Sequence, residues 1–151
     1  MIEKIKNEND GGTKMSAETA WLEELTYLND KPGVKLIKAG TYKKKELNDI
    51  LGIPNLESQI IDVPVCTDKH ALQMGYFSMQ PSEDFEFTYT FLEIKIVFRG
   101  KIIVRDDQGK KYVAEEGDVF VFSPTTTVIF DGESDGDAFY TAHRLPESSF
   151  L

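Results

Sequence analysis

The sequence predicts an all-β domain, a sandwich or barrel of short strands, preceded by one α-helix. The second half of the chain contains short apolar runs separated by turn-forming residues, of which 107–109 and 116–118 are the clearest. The sequence shows no strand–helix alternation, no Walker-type glycine-rich loop and no Gly-x-Ser-x-Gly elbow. These observations favour an antiparallel fold and give no motif for the common phosphate- and acyl-transfer reactions.

The chain divides into three predicted parts. Residues 1–15 have the polar composition of a flexible tail. Residues 16–33 are predicted to contain an α-helix, because Ser16 can cap it and apolar residues then recur at helical spacing. Residues 34–147 are predicted to form the β-domain. The helix either packs on this domain or a second subunit, or docks the chain to another protein.

The β-domain is predicted from runs with the period of strands, bounded by Gly, Pro, Asn and Asp. A short helix is expected within residues 44–51. The predicted strands are residues 34–37, 60–65, 72–79, 85–98, 101–106, 111–114, 119–122, 126–130 and 138–142.

Composition limits the class of partner. The 151 residues carry a formal net charge of -9, which disfavours general binding to the phosphate backbone of nucleic acids but leaves room for a local basic pocket. No apolar stretch is long enough to span a membrane, and the first residues lack the apolar segment of a signal peptide. We therefore expect a cytoplasmic protein without nucleic-acid or membrane partners. Cys66 is the single cysteine, so an internal disulfide is excluded.

Two segments of the β-domain have the spacing of a paired motif. Residues 93–100 place Glu93 before a tight turn at Gly100, and residues 117–124 place a Gly-Asp turn before an apolar strand that stops at Pro124. In this order, with a predicted hairpin strand between them, the segments resemble the two motifs of the cupin family. The resemblance implies that the β-domain is a cupin-type β-barrel, or jelly roll.

The histidines that hold the metal in metal-binding cupins are missing. Counted from Glu93 and Pro124, their positions carry Phe87 and Tyr89, or Glu86 and Thr88 for a longer spacer, and Ile129. The chain has 2 histidines, His70 and His143, so one subunit cannot assemble a three-histidine site. We expect no bound metal. Ligation by oxygen alone, through Glu86, Glu93 and a remote group, is the remaining metal hypothesis.

A more specific resemblance covers residues 72–142. Members of the EutQ family of ethanolamine utilisation, encoded with bacterial microcompartment operons, also lack these histidines and share a series of short motifs. The residues that carry the likeness are 87–95, 97–100, 104–105, 117–119, Pro124 and 139–140. The chain differs at Lys95, which replaces an acid, in a segment before Pro124 that is one residue longer, and at residues 143–146, which replace an aromatic ending.

Strand alternation indicates which residues share the inward face. Tyr89, Glu93 and Lys95 fall on one face, and Glu93 points into the barrel if the resemblance holds. The opposite face carries an apolar row: Ile94, Ile96 and Phe98. A buried carboxylate and a buried ammonium must pair or meet a polar ligand. We take Tyr89, Glu93 and Lys95 as candidate catalytic residues. The structural alternatives are an ion pair that only braces the barrel and a bulge that returns Lys95 to solvent.

Four further residues are candidate ligand-binding residues: Glu86, Arg105, Tyr140 and His143. An inward Arg105 would hold a carboxylate or phosphate through its fork of donors, whereas an outward one is a surface residue of a hairpin. Tyr140 either places its hydroxyl at the barrel mouth or is a core aromatic. His143 lies just past the last predicted strand and could carry a proton.

The EutQ resemblance implies a role in ethanolamine utilisation or other microcompartment metabolism and, through that family, acetate kinase-like activity. Lys95 and Arg105 would then hold phosphate while Glu93 positions Mg²⁺; no tightly bound cofactor is otherwise expected.

A non-catalytic function is the alternative. In it, a metal-free cupin binds a small carboxylate, or microcompartment shell or enzyme partners. In either case we expect a small carboxylate or phosphate metabolite as ligand. We also expect a homodimer, because the apolar row on the outer face needs cover.

Overall fold

The computed structural model describes residues 17–151, which form an antiparallel β-structure with little helix. The predicted all-β class is therefore confirmed. The short 3₁₀ helices are Asp68–His70 and Ser148–Phe150. The other elements are, in chain order, α1 (Ala17–Glu24), β1 (Lys45–Glu46), α2 (Leu47–Leu51), β2 (Ser58–Cys66), β3 (Leu72–Met79), β4 (Phe85–Tyr89), β5 (Glu93–Arg105), β6 (Lys111–Glu115), β7 (Val119–Phe122), β8 (Thr126–Phe130) and β9 (Asp135–Ala142).

The strands form one curled sheet with β5 at its centre. Its order is β1-β2-β3-β9-β5-β8-β4, and β6 and β7 each pair with β5. The 13 residues of β5 are long enough to pair with β6, β7, β8 and β9. The strand bends at Gly100, where φ is 61° and a Cβ would lie 2.1 Å from the carbonyl oxygen of Asp135. Only glycine is accommodated at this bend.

The curled sheet encloses a core of aliphatic and aromatic side chains. The rings of Phe85 and Phe130 stack with their centroids 4.8 Å apart, and those of Tyr89 and Phe122 with theirs 4.4 Å apart. These side chains come from inward positions of β4, β7 and β8, so they hold the walls of the barrel together.

The strand prediction for residues 85–98 was wrong in extent. The chain leaves the sheet after β4 and re-enters it as β5, because β4 pairs with β8 whereas the start of β5 pairs with β7 and β9. The predicted strand at residues 101–106 is the continuation of β5, since the positive φ of Gly100 lets the strand bend without ending.

Residues 34–37 do not form the predicted strand. Val34 is 97% exposed and Leu36 is 78% exposed, and no strand in the described part of the chain pairs with them. An extended segment becomes a strand only when its backbone groups find a neighbour. At the edge of β2, backbone hydrogen bonds come instead from Leu28 and Asn29.

The N-terminal helix ends earlier than predicted. The flexible tail proposed for residues 1–15 and the predicted cap Ser16 lie outside the described residues. α1 ends at Glu24, and the chain then turns, with Tyr27 buried and its N–H donating to Oδ2 of Asp30 at 3.1 Å. No helix in residues 17–151 is long and apolar enough to cross a membrane.

Candidate functional site

A buried ion pair lies inside the barrel. Glu93 and Lys95 point inward from β5 and are 6% and 4% exposed. The Nζ of Lys95 lies 3.0 Å from Oε1 of Glu93, and the Tyr89 hydroxyl donates to the same oxygen at 3.1 Å. Without such partners each buried charge would be strongly destabilising. The predicted inward row is therefore confirmed, and the alternative in which Lys95 returns to solvent is wrong.

Aromatic rings surround the Lys95 ammonium. Its Nζ lies 4.0 Å from the ring centroid of Phe77, 5.1 Å from that of Tyr140 and 5.5 Å from that of Phe130. The negative face of an aromatic ring attracts a cation, and the attraction strengthens where water is excluded. The ammonium is thus held by one carboxylate and by several ring faces.

Burial changes the proton affinities of this cluster. Burial lowers the pKa of Lys95, and the adjacent Glu93 carboxylate opposes this effect. Burial, followed by the charge of Glu93, raises the pKa of Tyr89 well above its ordinary value. The interior therefore contains an amine that loses its proton more easily than usual and a phenol that keeps it.

A second polar cluster joins the first through Tyr140. Arg144 binds the buried Asp62 carboxylate at both oxygens, with Nη1 to Oδ2 at 3.0 Å and Nη2 to Oδ1 at 2.7 Å. The Tyr140 hydroxyl donates to Oδ1 of Asp62 at 2.6 Å, while its ring contacts Lys95. Burial, and then the charge of Asp62, raises the pKa of Tyr140.

Gly75 of β3 allows this second cluster to form. A Cβ at this position would lie 1.7 Å from the carbonyl oxygen of Ile61 and 2.6 Å from the Tyr140 hydroxyl. The carbonyl belongs to the backbone and cannot move aside cheaply. Glycine is therefore required where β2, β3 and the Tyr140 side chain meet.

Members of both clusters line a cavity of about 50 Å³. Its walls are mostly aromatic and aliphatic, with Glu93, Lys95 and Arg144 as charged groups. Phe91 and Phe150 flank the guanidinium of Arg144, their ring centroids 5.6 and 5.4 Å from its Cζ. A cavity of this size has room for roughly two to four water molecules. It can hold only a very small ligand.

Three of the four candidate ligand-binding residues lie away from the cavity. Glu86 is exposed on the outer side of β4, and His143 is exposed just past β9. Arg105 forms ion pairs near the hairpin, with Asp131 among its partners at 3.2 Å from Nε to Oδ2. Of the four, only Tyr140 lines the cavity.

Sequence reasoning missed three residues of the site. Asp62 is an acid within the apolar run of residues 60–65, which was a visible signal for an inward charge. Arg144 belonged to the ending that differs from the EutQ pattern, but nothing in the sequence paired it with Asp62. Phe77 carried no signal, because one aromatic residue in a predicted strand is ordinary.

The site does not fit a metal ion. Among the described residues, no group of three or more His, Cys, Asp and Glu side chains is arranged to hold one. Glu86 faces outward from β4, so the structure does not bring it together with the inward Glu93. Oε1 of Glu93 is already engaged by Lys95 and Tyr89. The geometry therefore gives no support to the oxygen-ligated metal hypothesis.

The curled antiparallel sheet, with an inward glutamate on its long central strand, forms the cupin-type barrel that the motifs predicted. Residues 67–140 match the family model of the EutQ-like cupin domain. The chain therefore contains an EutQ-like cupin domain, as its motifs predicted. A search of curated proteins found no match.

Solved structures agree with this assignment at the level of the fold. An ethanolamine utilisation protein Q of Salmonella typhimurium LT2 is 21% identical with a TM-score of 0.62, covering 75% of this chain and 88% of that one. The Clostridium difficile EutQ protein is 22% identical with a TM-score of 0.59, covering 73% and 80%. An RmlC-like cupin from Shewanella frigidimarina is 12% identical with a TM-score of 0.57, covering 79% and 97%. At these identities the likeness concerns the fold alone.

Proposed function

We propose that this chain is a metal-independent cupin that binds a small polar molecule in the cavity beside Lys95. The observation that carries the proposal is an ammonium and a carboxylate, Lys95 and Glu93, facing a small and largely apolar cavity. Concave, mostly apolar pockets with few, fixed polar groups are typical of small-molecule sites. Ionisable groups with perturbed pKa values are more frequent at functional sites than elsewhere.

The balance of charge favours a neutral ligand. Glu93 pairs with Lys95, and Asp62 pairs with Arg144, so acids and bases are matched within the site. An anion entering this cavity would leave one negative charge unmatched in a poorly solvated interior, which is costly. The small carboxylate or phosphate expected from the sequence is therefore less well supported than a small neutral molecule with a hydrogen-bonding group.

Acetate kinase-like activity is less well supported by this geometry. Drug-sized ligands occupy pockets of roughly 300 Å³ or more, whereas the cavity beside Lys95 measures about 50 Å³. The larger grooves, of about 460, 500 and 320 Å³, contain none of Tyr89, Glu93 and Lys95. The last of them brings Glu86 and Arg105 together on the outer surface. We expect no acetyl phosphate from ATP, acetate and Mg²⁺ under conditions where a conventional acetate kinase is active.

Binding can be tested with three probes of similar size and different charge. Amide NMR spectra of the full chain would be recorded during titration with acetamide, acetate and inorganic phosphate. We expect acetamide to shift signals around Phe77, Lys95 and Tyr140, and acetate to bind about tenfold more weakly, a difference of about 1.4 kcal/mol. Lys95→Met should abolish the shifts, while Lys101→Met, at an exposed lysine of the same strand, should preserve them.

Two results would contradict the binding proposal. One is the absence of shifts with all three probes in a folded protein. The other is a set of shifts confined to the outer grooves, with the cavity residues unaffected. Formation of acetyl phosphate that Lys95→Met removes would instead support the kinase-like alternative.

We also propose the protein partners expected from the sequence, which are a second copy of this chain and microcompartment shell or enzyme proteins. Ile94, Ile96 and Phe98 are 38%, 38% and 46% exposed, and Val119 and Val121 of the paired strand β7 are 53% and 64% exposed. A two-fold axis would bring this apolar patch against its own copy, so we propose a homodimer in the cytoplasm. Association with microcompartment shell or enzyme partners follows only from the EutQ-like family, and co-purification with such proteins would test it.

A further inference from the structure

The Lys95 amine is the most nucleophilic group that the cavity contains. Within the described residues, its only acceptor at hydrogen-bond distance is Oε1 of Glu93 at 3.0 Å. The ring of Phe77 lies 4.0 Å from Nζ and that of Tyr140 lies 5.1 Å from it. An ammonium has three donors, so part of this group faces ring surfaces that form no strong hydrogen bond.

The surroundings of Lys95 favour the neutral amine. Transferring the proton from Nζ to Glu93 would turn a buried ion pair into two neutral groups, which an apolar cavity tolerates better. Burial lowers the pKa of Lys95 in the same direction. Lysines activated in this way, by desolvation in an apolar pocket, are the ones that attack carbonyl carbons.

We propose that Lys95 forms a reversible imine with a small neutral aldehyde held in this cavity, an inference that rests on the ligand-binding function proposed above. An aldehyde adds no charge to the matched set of acids and bases. A two-carbon aldehyde is also of the size that about 50 Å³ admits. Aromatic walls limit the water that would hydrolyse the product.

The step balances without an oxidant or reductant. Nζ first passes a proton to Glu93, and its lone pair then attacks the carbonyl carbon. The C=O π electrons move to the oxygen, which takes that proton from Glu93. Glu93 accepts the proton released by nitrogen and returns one to the hydroxyl of the carbinolamine, which leaves as water. Tyr89 donates to Glu93 at 3.1 Å and so holds the carboxylate in place as a positioning residue.

The inference can be tested on the unmodified full chain. The protein would be mixed with acetaldehyde near neutral pH, reduced with sodium borohydride and digested, and each lysine would be examined for an added ethyl group by mass spectrometry. We expect the occupancy at Lys95 to exceed that at Lys101 several-fold, because burial lowers the pKa of Lys95 and so raises its fraction of neutral amine. Lys101 is an exposed lysine of the same strand.

The variant Glu93→Gln sharpens the test. It keeps the shape of the side chain but removes the proton acceptor, so labelling at Lys95 should fall while labelling at Lys101 stays unchanged. Circular dichroism in the aromatic region reports whether the variant has folded, and the comparison of lysines within the unmodified chain stands without it.

The outcomes separate this inference from the function on which it rests. Labelling that follows exposure, with Lys101 at or above Lys95, overturns the imine. If acetamide still binds beside Lys95 in that case, the ligand-binding function stands alone. If neither acetamide binding nor labelling is observed, both proposals fail.

Discussion

The two faces of β5 are the reverse of those in an ordinary half-buried strand. Glu93 and Lys95 point into the barrel and are nearly inaccessible, whereas their neighbours Ile94 and Ile96 point outward and are 38% exposed. A strand with one solvated face usually places apolar residues inside and charged residues outside. The folding of a single chain therefore explains neither face, which is why we propose a ligand inside and a second subunit outside.

Stability alone gives little reason for the inner charges. Replacing a buried ion pair by well-packed apolar side chains is often neutral or stabilising, whereas removing one partner is strongly destabilising. The pair of Glu93 and Lys95 is thus a poor way to brace a barrel but a suitable way to hold two polar groups against a mostly apolar cavity, as the proposed binding function requires. The outer apolar row has the opposite property, since burying it against another protein surface would be favourable in free energy.

The largest expected effect comes from breaking the inner pair. Glu93→Ala leaves the ammonium of Lys95 buried without its carboxylate and should lower the free energy of unfolding by about 3–5 kcal/mol. Ile94→Ala, one residue along and on the outer face, should cost at most about 1 kcal/mol because that side chain is partly exposed. Urea unfolding of both variants measures the difference.

The double variant Glu93→Gln with Lys95→Met distinguishes a pair from two separate contributions. It removes both charges while preserving volume, so most of the stability lost in Glu93→Ala should return. Losses that simply add would mean that the two residues do not act as a pair.

The next largest loss of folding stability is expected at alkaline pH, through Tyr89 and Tyr140. The pKa values of Tyr89 and Tyr140 are raised well above 10.0 in the folded chain, so the unfolded chain binds fewer protons above that pH. Stability present below about pH 10 is therefore lost as pH rises further, by up to about 1.4 kcal/mol per pH unit for each tyrosine. Tyr89→Phe should reduce this slope in urea unfolding, and Tyr112→Phe, at a 40% exposed position, should not.

Phenolate absorbance gives an independent reading of the same effect. The chain has 6 tyrosines, and we expect Tyr89 and Tyr140 to ionise only when it unfolds. Ionisation of every tyrosine in the folded protein near pH 10 would refute this account of the interior.

A substitution on the outer face of β5 should change the oligomeric state and have a smaller effect on stability. Ile96→Lys places a charge in the centre of the apolar patch and should convert a dimer into a monomer at micromolar concentration, seen by light scattering. The same change at Val113, which is 50% exposed on β6, serves as the control and should leave the oligomeric state unchanged. If the unmodified protein is a monomer, the proposal that a second subunit covers this face is wrong.

The smallest effect is expected at Glu86, which lies on neither face of β5. Glu86 is exposed on the outer side of β4, where its partner across the sheet is Ile129 of β8. Glu86→Gln should change the free energy of unfolding by less than about 0.5 kcal/mol and leave acetamide binding intact. Loss of binding in this variant would return Glu86 to the site.

Local pattern was sufficient for most of the strands and for the inward row. The strands Leu72–Met79, Val119–Phe122 and Thr126–Phe130 have the predicted bounds, because alternation and turn residues mark both of their ends. Alternation also placed Tyr89, Glu93 and Lys95 on one face. It failed at residues 34–37, where an extended, apolar sequence has no neighbouring strand within the described chain.

The sequence by itself determined the fold family, the absence of a three-histidine centre and the face on which Glu93 and Lys95 lie, since each depends on residue identity or on a period of two. Only the tertiary structure decided that Asp62 and Arg144 complete the site, that Glu86, Arg105 and His143 lie apart from it, and that the cavity is small. These properties depend on contacts between residues far apart in the chain, such as Asp62 with Arg144. A local sequence pattern does not show which distant residues are in contact.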